Sequence, residues 1–209
     1  LKNKIKVVGL GPGNLDFVTG AGIKAIKNCE IVIGGKRHLE EVNDLLDNQE
    51  RFFLGKLELF KSFIIDNIGK KITIVVSGDT GYYSLLTYLR NNFSEELFEV
   101  IPGISSFQYL FSRITMTWEK YSLHSVHGRE TNYIEALEKS DAGIVLLTDS
   151  ENNPIEISRK LIENNIKNIE VIVGERLSYE NEIITRFLLE DYKNYEKEYS
   201  MNVTILRKV

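Results

Sequence analysis

The stretch Val7-Val8-Gly9-Leu10-Gly11-Pro12-Gly13-Asn14 sets three glycines in five residues directly behind a β-branched run. Glycine reaches φ > 0 and lets another molecule approach the main chain, and Pro12 stiffens the turn. Such a turn suits a polar ligand at the carboxyl end of a strand, where open α/β sheets hold ligands. A nicotinamide dinucleotide is disfavoured, because Asn14 occupies the place of the third glycine in G-x-G-x-x-G. The spacing also fails the Walker phosphate loop. Taken alone, the stretch is equally consistent with a plain strand-to-helix turn.

Two more turns repeat the arrangement. In Ser77-Gly78-Asp79-Thr80-Gly81-Tyr82, the Asp79 carboxylate suits an amine or hydroxyl, or else the cap of the next helix. In Pro102-Gly103-Ile104-Ser105-Ser106, Ser105 also has the residue type of an N-cap. Three strand-end turns of this kind in one half exceed what packing requires, and together they point to a polar ligand lying across one sheet edge. His127 precedes a glycine turn, and its imidazole suits either a proton relay or a structural hydrogen bond. His38 and His124 read as helix-surface and strand residues. One cysteine and scattered histidines form no zinc pattern, so no protein-bound metal is expected.

The elements that must position these residues alternate. Short β-branched runs at 5–8, 30–33, 72–77, 98–101, 122–126, 143–148, 169–173 and 203–206 are separated by stretches of helical period at 16–28, 36–47, 57–69, 82–92, 104–113, 131–139 and 154–165. The alternation predicts an α/β fold with crossover connections and a largely parallel, covered sheet. Asp16 and Thr131 are the expected caps, and Pro154 fits a first helical turn. Residues 176–199 read as a hairpin or as a strand with a short helix. The weakly periodic segment 112–121 marks the boundary between an N-terminal α/β domain, 1–114, and a C-terminal α/β domain, 115–209. The cleft between them is the expected ligand site.

Composition narrows the function classes. The chain has 209 residues, 43% hydrophobic and 27% charged, with a net charge of −4. That balance gives no global attraction to nucleic acid or anionic membranes. In the tyrosine-rich stretch 192–199 the only bases are Lys193 and Lys197, too few for phosphate binding. Amphipathic packing, including at a dimer interface, explains it better. The lone Cys29 fits a reducing compartment, and no apolar run approaches the roughly 20 residues of a membrane span. A cytoplasmic protein is expected.

In order and spacing, the three turns resemble those of the tetrapyrrole methylase family: G-x-G-P-G after strand one, a G-D-P-type loop after strand three and P-G-[IV]-[ST]-[SA] after strand four. The likeness runs over the whole chain. Ile33-Gly34-Gly35-Lys36-Arg37-His38-Leu39, Ser125-Val126-His127-Gly128-Arg129, Leu147-Thr148-Asp149 with Asn153-Pro154, and Gly174-Glu175-Arg176-Leu177-Ser178-Tyr179 with Glu182 resemble the branch that methylates C5 of a precorrin. One departure is Thr80, where most relatives have proline.

The resemblance implies two α/β domains with mostly parallel or mixed sheets, and an S-adenosylmethionine-dependent C-methyltransferase acting in cobalamin biosynthesis on C5 of cobalt-precorrin-7. It places the donor in the interdomain cleft near Leu10, Asp79, Tyr82, Ser105, Ser106, Leu147 and Thr148. Pro12 and Gly13 would line the substrate side. A precorrin is rich in carboxylates, and Lys36, Arg37 and Arg129 are the residues expected to meet them, since arginine's planar fork suits a carboxylate. His127 is the candidate for proton transfer. A homodimer is implied, as is a separate polypeptide for methylation at C15 with decarboxylation. The alternatives are the same fold and donor with a uroporphyrinogen or diphthamide acceptor, or a non-catalytic nucleotide-binding α/β module.

Overall fold

The computed structural model describes residues 3–128 and 131–209. The chain divides into two compact units, Leu1–Ser105 and Ser106–Val209. The division falls ahead of the boundary read at residue 114.

The first unit carries β1 (Ile5–Gly9), β2 (Ile31–Gly34), β3 (Glu50–Phe53), β4 (Ile72–Val76) and β5 (Phe98–Ile101), in sheet order β3-β2-β4-β1-β5. All four pairings are parallel. The helices are α1 (Gly20–Lys27), α2 (Lys36–Glu41), α3 (Leu57–Asp66) and α4 (Leu86–Asn92). Successive strand residues face opposite ways, so Val7 and Val8 serve different cores. Val7 joins Ile33, Ile74, Phe60, Ile64 and Leu89 on one face, and Val8 joins Val32, Val75, Ala25 and Ile26 on the other. Burial on both faces is why these strands read as unbroken apolar runs.

Sequence reading missed β3. It is an edge strand, and of its four residues only Phe52 is even partly buried, so the apolar signal of the inner strands is absent. The long helix expected at 36–47 is broken at Val42 into α2 and a short 3₁₀ turn, Asn43–Leu45. Asp16 is no helix cap. Asn14 caps the 3₁₀ turn Leu15–Phe17, and Thr19 caps α1 by accepting from the Gly22 N–H at 3.1 Å.

The second unit contains α5 (Ser106–Arg113), β6 (Tyr121–Ser125), α6 (Tyr133–Lys139), β7 (Gly143–Leu147), α7 (Pro154–Glu163), β8 (Ile169–Glu175), β9 (Ile183–Leu188) and β10 (Asn202–Lys208). Its sheet order is β6-β7-β10-β8-β9, with β6 and β7 parallel and the other pairings antiparallel. This sheet is therefore mixed, where strand and helix alternation alone suggested a parallel one. The terminal strand β10 inserts between β7 and β8, a pairing that no local pattern encodes. Helix α5 belongs to this unit by packing: Phe111 meets Tyr121 edge-on at 5.0 Å, and Leu110 lies against Gly174.

The α6 cap is Asn132, because the Thr131 hydroxyl donates instead to the Ser125 carbonyl at 2.7 Å. Pro154 takes the first turn of α7 behind the cap Asn153. Residues 176–199 resolve into β9 and a 3₁₀ helix, Leu189–Tyr195. The tyrosines there pack inward: Tyr192 and Tyr199 join the core, and Tyr195 stacks on Phe187 at 4.5 Å. Among the described residues, no helix is long and apolar enough to cross a membrane.

Candidate functional site

In the first unit the order β4-β1-β5 makes three strands neighbours, and each ends in one of the three glycine-bearing turns. Their main chains touch. Leu10 N–H donates to the Val76 carbonyl at 2.8 Å, and Gly11 and Gly78 exchange hydrogen bonds of 3.2 and 2.8 Å. A Cβ on Gly9 would lie 2.5 Å from the Gly78 oxygen and 2.7 Å from the Gly103 nitrogen, so only glycine permits this approach. Gly11, at φ +78°, supplies the left-handed conformation that turns the chain back towards Gly78.

Asp79 ties two of the loops. Its Oδ1 accepts from Gly81 N–H at 2.8 Å and its Oδ2 from Gly103 N–H at 3.3 Å. The carboxylate is thus no cap of α4, which begins at Leu86. It braces the second loop against the third and leaves a negative charge, half-buried, at the loop edge. Thr80 is buried, and its carbonyl accepts from the Ser84 hydroxyl. Burial raises the Tyr82 phenol, whose ring meets Tyr83 edge-on at 4.8 Å. Leu10 is 2% exposed with its side chain in the core, so a ligand would meet it through the main chain. Ser105, also buried, closes the first unit, and Ser106 opens α5 in the second.

Lys36 and Arg37, adjacent in sequence, turn to different places. Lys36 lines a groove of about 570 Å³ with Leu39, Glu40, Asn43, Arg51 and Phe53. Arg37 instead reaches Ser77, donating from Nη2 to its Oγ at 2.6 Å, and pairs through Nε with Glu41 at 3.6 Å. Ser77 and His38 are members of this cluster that sequence reading did not select. The signals available were Ser77's place directly before Gly78-Asp79 and His38's place in the stretch Ile33–Leu39.

In the second unit the parallel register Ser125↔Leu147 sets His127 beside Thr148. His127 Nδ1–H donates to the Thr148 carbonyl at 3.2 Å, an arrangement that in a neutral ring makes Nε2 the acceptor nitrogen. The Thr148 hydroxyl is turned inward, 2.5 Å from Oδ1 of buried Asn202, and the Leu147 carbonyl accepts from Val126 N–H at 2.9 Å. Asp149 fastens the turn through Oδ2 to Gly128 N–H at 2.9 Å and through Oδ1 to Asn152 N–H at 2.6 Å. Burial acts to raise its pKa, but the N–H bonds outweigh it and hold the carboxyl below the usual range. Arg129 lies outside the described residues.

The turn 174–182 has two non-glycine residues at positive φ, Arg176 at 46° and Ser178 at 70°. Glu182 holds it, accepting from Ser178 N–H at 2.7 Å and from Arg113 Nε at 2.8 Å. Among the described residues, no group of three His, Cys, Asp or Glu side chains gathers to hold a metal ion.

The loop edge offers main-chain groups and one carboxylate, which suits a polar ligand with a cationic group. Residues 4–193 match the Tetrapyrrole (Corrin/Porphyrin) Methylases. A probable cobalt-precorrin-7 C(5)-methyltransferase of Methanocaldococcus jannaschii is 35% identical over 93% of this chain and 94% of its own. The cobalt-precorrin-7 C(5)-methyltransferase of Salmonella typhimurium is 33% identical over 86% and 88%. A uroporphyrin-III C-methyltransferase of Thermus thermophilus, solved with S-adenyl homocysteine, shares the fold with a TM-score of 0.76 at 18% identity, covering 98% of this chain and 92% of that one. With its family profile matched from strand β1 to the 3₁₀ helix before β10, this chain belongs to the tetrapyrrole methylase family.

Proposed function

We propose that the protein is an S-adenosylmethionine-dependent C-methyltransferase that methylates C5 of cobalt-precorrin-7 in cobalamin biosynthesis. The observation that carries this reading is the meeting of three glycine turns around Asp79, in a chain whose relatives of that name align over most of its length. Bound S-adenosylmethionine supplies a methyl group on a sulfonium, a leaving group that is already activated. The protein's task is therefore to hold and align, which can contribute roughly 7–11 kcal/mol.

In this proposal Asp79 faces the cationic part of the donor. Tyr82, Ser105, Ser106 and the main chain of Leu10, Leu147 and Thr148 hold the rest. Pro12 and Gly13 border the macrocycle, while Lys36, Arg37 and Arg129 meet its carboxylates. His127 Nε2 accepts or relays the proton as the methylated ring rearranges, and its bond to Thr148 supports that role by fixing the tautomer. Any cobalt arrives within the macrocycle. The proposal includes a homodimer working in the cytoplasm.

The test is incubation with methyl-labelled S-adenosylmethionine and cobalt-precorrin-7, followed by NMR location of the label. Label at C5 is expected. Label at another carbon would assign a different acceptor position, and no transfer to any tetrapyrrole would overturn the methyltransferase reading.

A further inference from the structure

We propose that Ser77 and His38 are positioning residues that hold the Arg37 guanidinium as a fixed carboxylate-binding fork at the carboxyl edge of the first sheet. The inference rests on the reading that Arg37 meets a carboxylate of the macrocycle.

The topology brings the three residues together. Strands β2 and β4 pair in parallel, Ile31↔Ile72 to Ile33↔Ile74, so both chains leave the sheet on the same edge. Arg37 and His38 follow β2, and Ser77 follows β4. Three polar atoms then form a closed triangle: Arg37 Nη2 to Ser77 Oγ at 2.6 Å, Ser77 Oγ to His38 Nε2 at 2.7 Å, and Arg37 Nη2 to His38 Nε2 at 3.2 Å.

Proton counting fixes the roles. Arginine has no acceptor and stays protonated, so Nη2–H donates to Oγ. The serine hydroxyl has one proton, which it donates in a hydrogen bond to His38 Nε2. That nitrogen must then be bare, with the imidazole proton on Nδ1. A proton on Nε2 would set N–H against N–H at 3.2 Å. Burial first, and the adjacent Arg37 charge second, hold the imidazole down to about 4, so it is neutral near pH 7. Glu41, one turn along α2, steadies the Nε side.

The guanidinium is thereby anchored and still 43% exposed, so an incoming carboxylate can approach it. Fixing a long side chain before the ligand arrives removes an ordering cost from binding. The anchor is also placed to matter. Ser77 directly precedes Gly78-Asp79, and the Gly78 carbonyl accepts from Gly11 N–H. The fork is therefore tied to the same rigid loops that are proposed to hold the methyl donor.

The test uses the full chain with Ser77→Ala, His38→Ala, Arg37→Ala and the conservative Ser77→Thr and His38→Gln. The probes are a stable polycarboxylated corrin and its methyl ester, titrated by absorbance, together with KM for cobalt-precorrin-7 and for S-adenosylmethionine. Ser77→Ala and His38→Ala should each weaken binding of the acid by roughly three- to tenfold. KM for cobalt-precorrin-7 should rise in step, with ester binding and KM for S-adenosylmethionine unmoved. Ser77→Thr and His38→Gln should recover most of the loss, and Ser77→Ala should cost nothing further once Arg37 is Ala. Multiple-bond nitrogen NMR of the ligand-free protein should show the His38 proton on Nδ1.

Equal loss for acid and ester would mark the triangle as merely structural and overturn the proposal. So would a proton on Nε2, or an Arg37→Ala variant with unchanged binding of the acid. Each of these leaves C5 methylation by the wild type standing. Wild-type protein that binds the corrin but never methylates C5 would instead sink the functional reading beneath it.

Discussion

Gly103 has almost no room to change. A Cβ there would sit 2.3 Å from the Gly78 oxygen and 2.7 Å from the Gly9 carbonyl carbon, both main-chain atoms that cannot rotate away. Gly103→Ala should therefore lose about 1–3 kcal/mol by overpacking, read as a lower urea midpoint, together with weaker donor binding as the loops part. An unshifted midpoint would show that the loops give way at no cost. His38 makes a pH prediction. Its pKa falls from an ordinary 6.5 to about 4 in the folded protein. The unfolded chain therefore takes up a proton first as the pH drops, and stability that is full above 6.5 is lost down to about 4. The His38 ring resonances should titrate near 4, and a midpoint near 6.5 would contradict a partly buried ring beside the Arg37 charge. At this scale sequence showed which residue types stood ready, but not where they turned. Lys36 and Arg37 were both offered to the carboxylates, and α2 sends one to the groove beside Arg51 and the other to Ser77.

At the scale of elements, local chemistry was legible wherever it was locally decided. Asn153-Pro154 is an example: Asn153 Oδ1 accepts from Ile155 and Glu156 N–H, each at 3.0 Å, and proline fills a position that has no N–H to satisfy. Asn153→Ala should cost about 1 kcal/mol, measured by denaturant unfolding, while Asn153→Ser should lose far less. Equal losses would mean the cap bond contributes little. Elements were misread where a neighbour decided. Thr131 gave up its capping role to bond the Ser125 carbonyl, and Asn132 took it over. Strand β3 has an exposed pattern and borders only β2, so no alternation marked it. The turn 174–182 was quoted as a motif, yet its mechanics lie in Glu182. Burial tends to raise that carboxyl, but the Ser178 N–H and the Arg113 guanidinium bring it below the usual range.

At the scale of the molecule, the α/β class followed from alternation, and the first sheet obeys it because every strand is parallel and the central ones are covered on both faces. The second sheet escaped because its pairing is non-local: β10, last in the chain, lies antiparallel between two earlier strands. Each unit has its own apolar core, and the proposed donor contacts fall in both, at Asp79, Tyr82 and Ser105 in one and at Ser106, Leu147 and Thr148 in the other. This yields a prediction that neither unit could satisfy alone. The single tryptophan, Trp118, lies in the second unit, so its fluorescence follows that unit's unfolding. Amide exchange at fully buried Val7 and Val75 follows the first. S-adenosylmethionine at about 100 times its dissociation constant should add roughly 2.7 kcal/mol to stability, and the Trp118 transition and the Val7 and Val75 amides should report the same increment. Protection confined to the first unit would strip Leu147 and Thr148 of their donor role and leave the three glycine turns to hold the ligand by themselves.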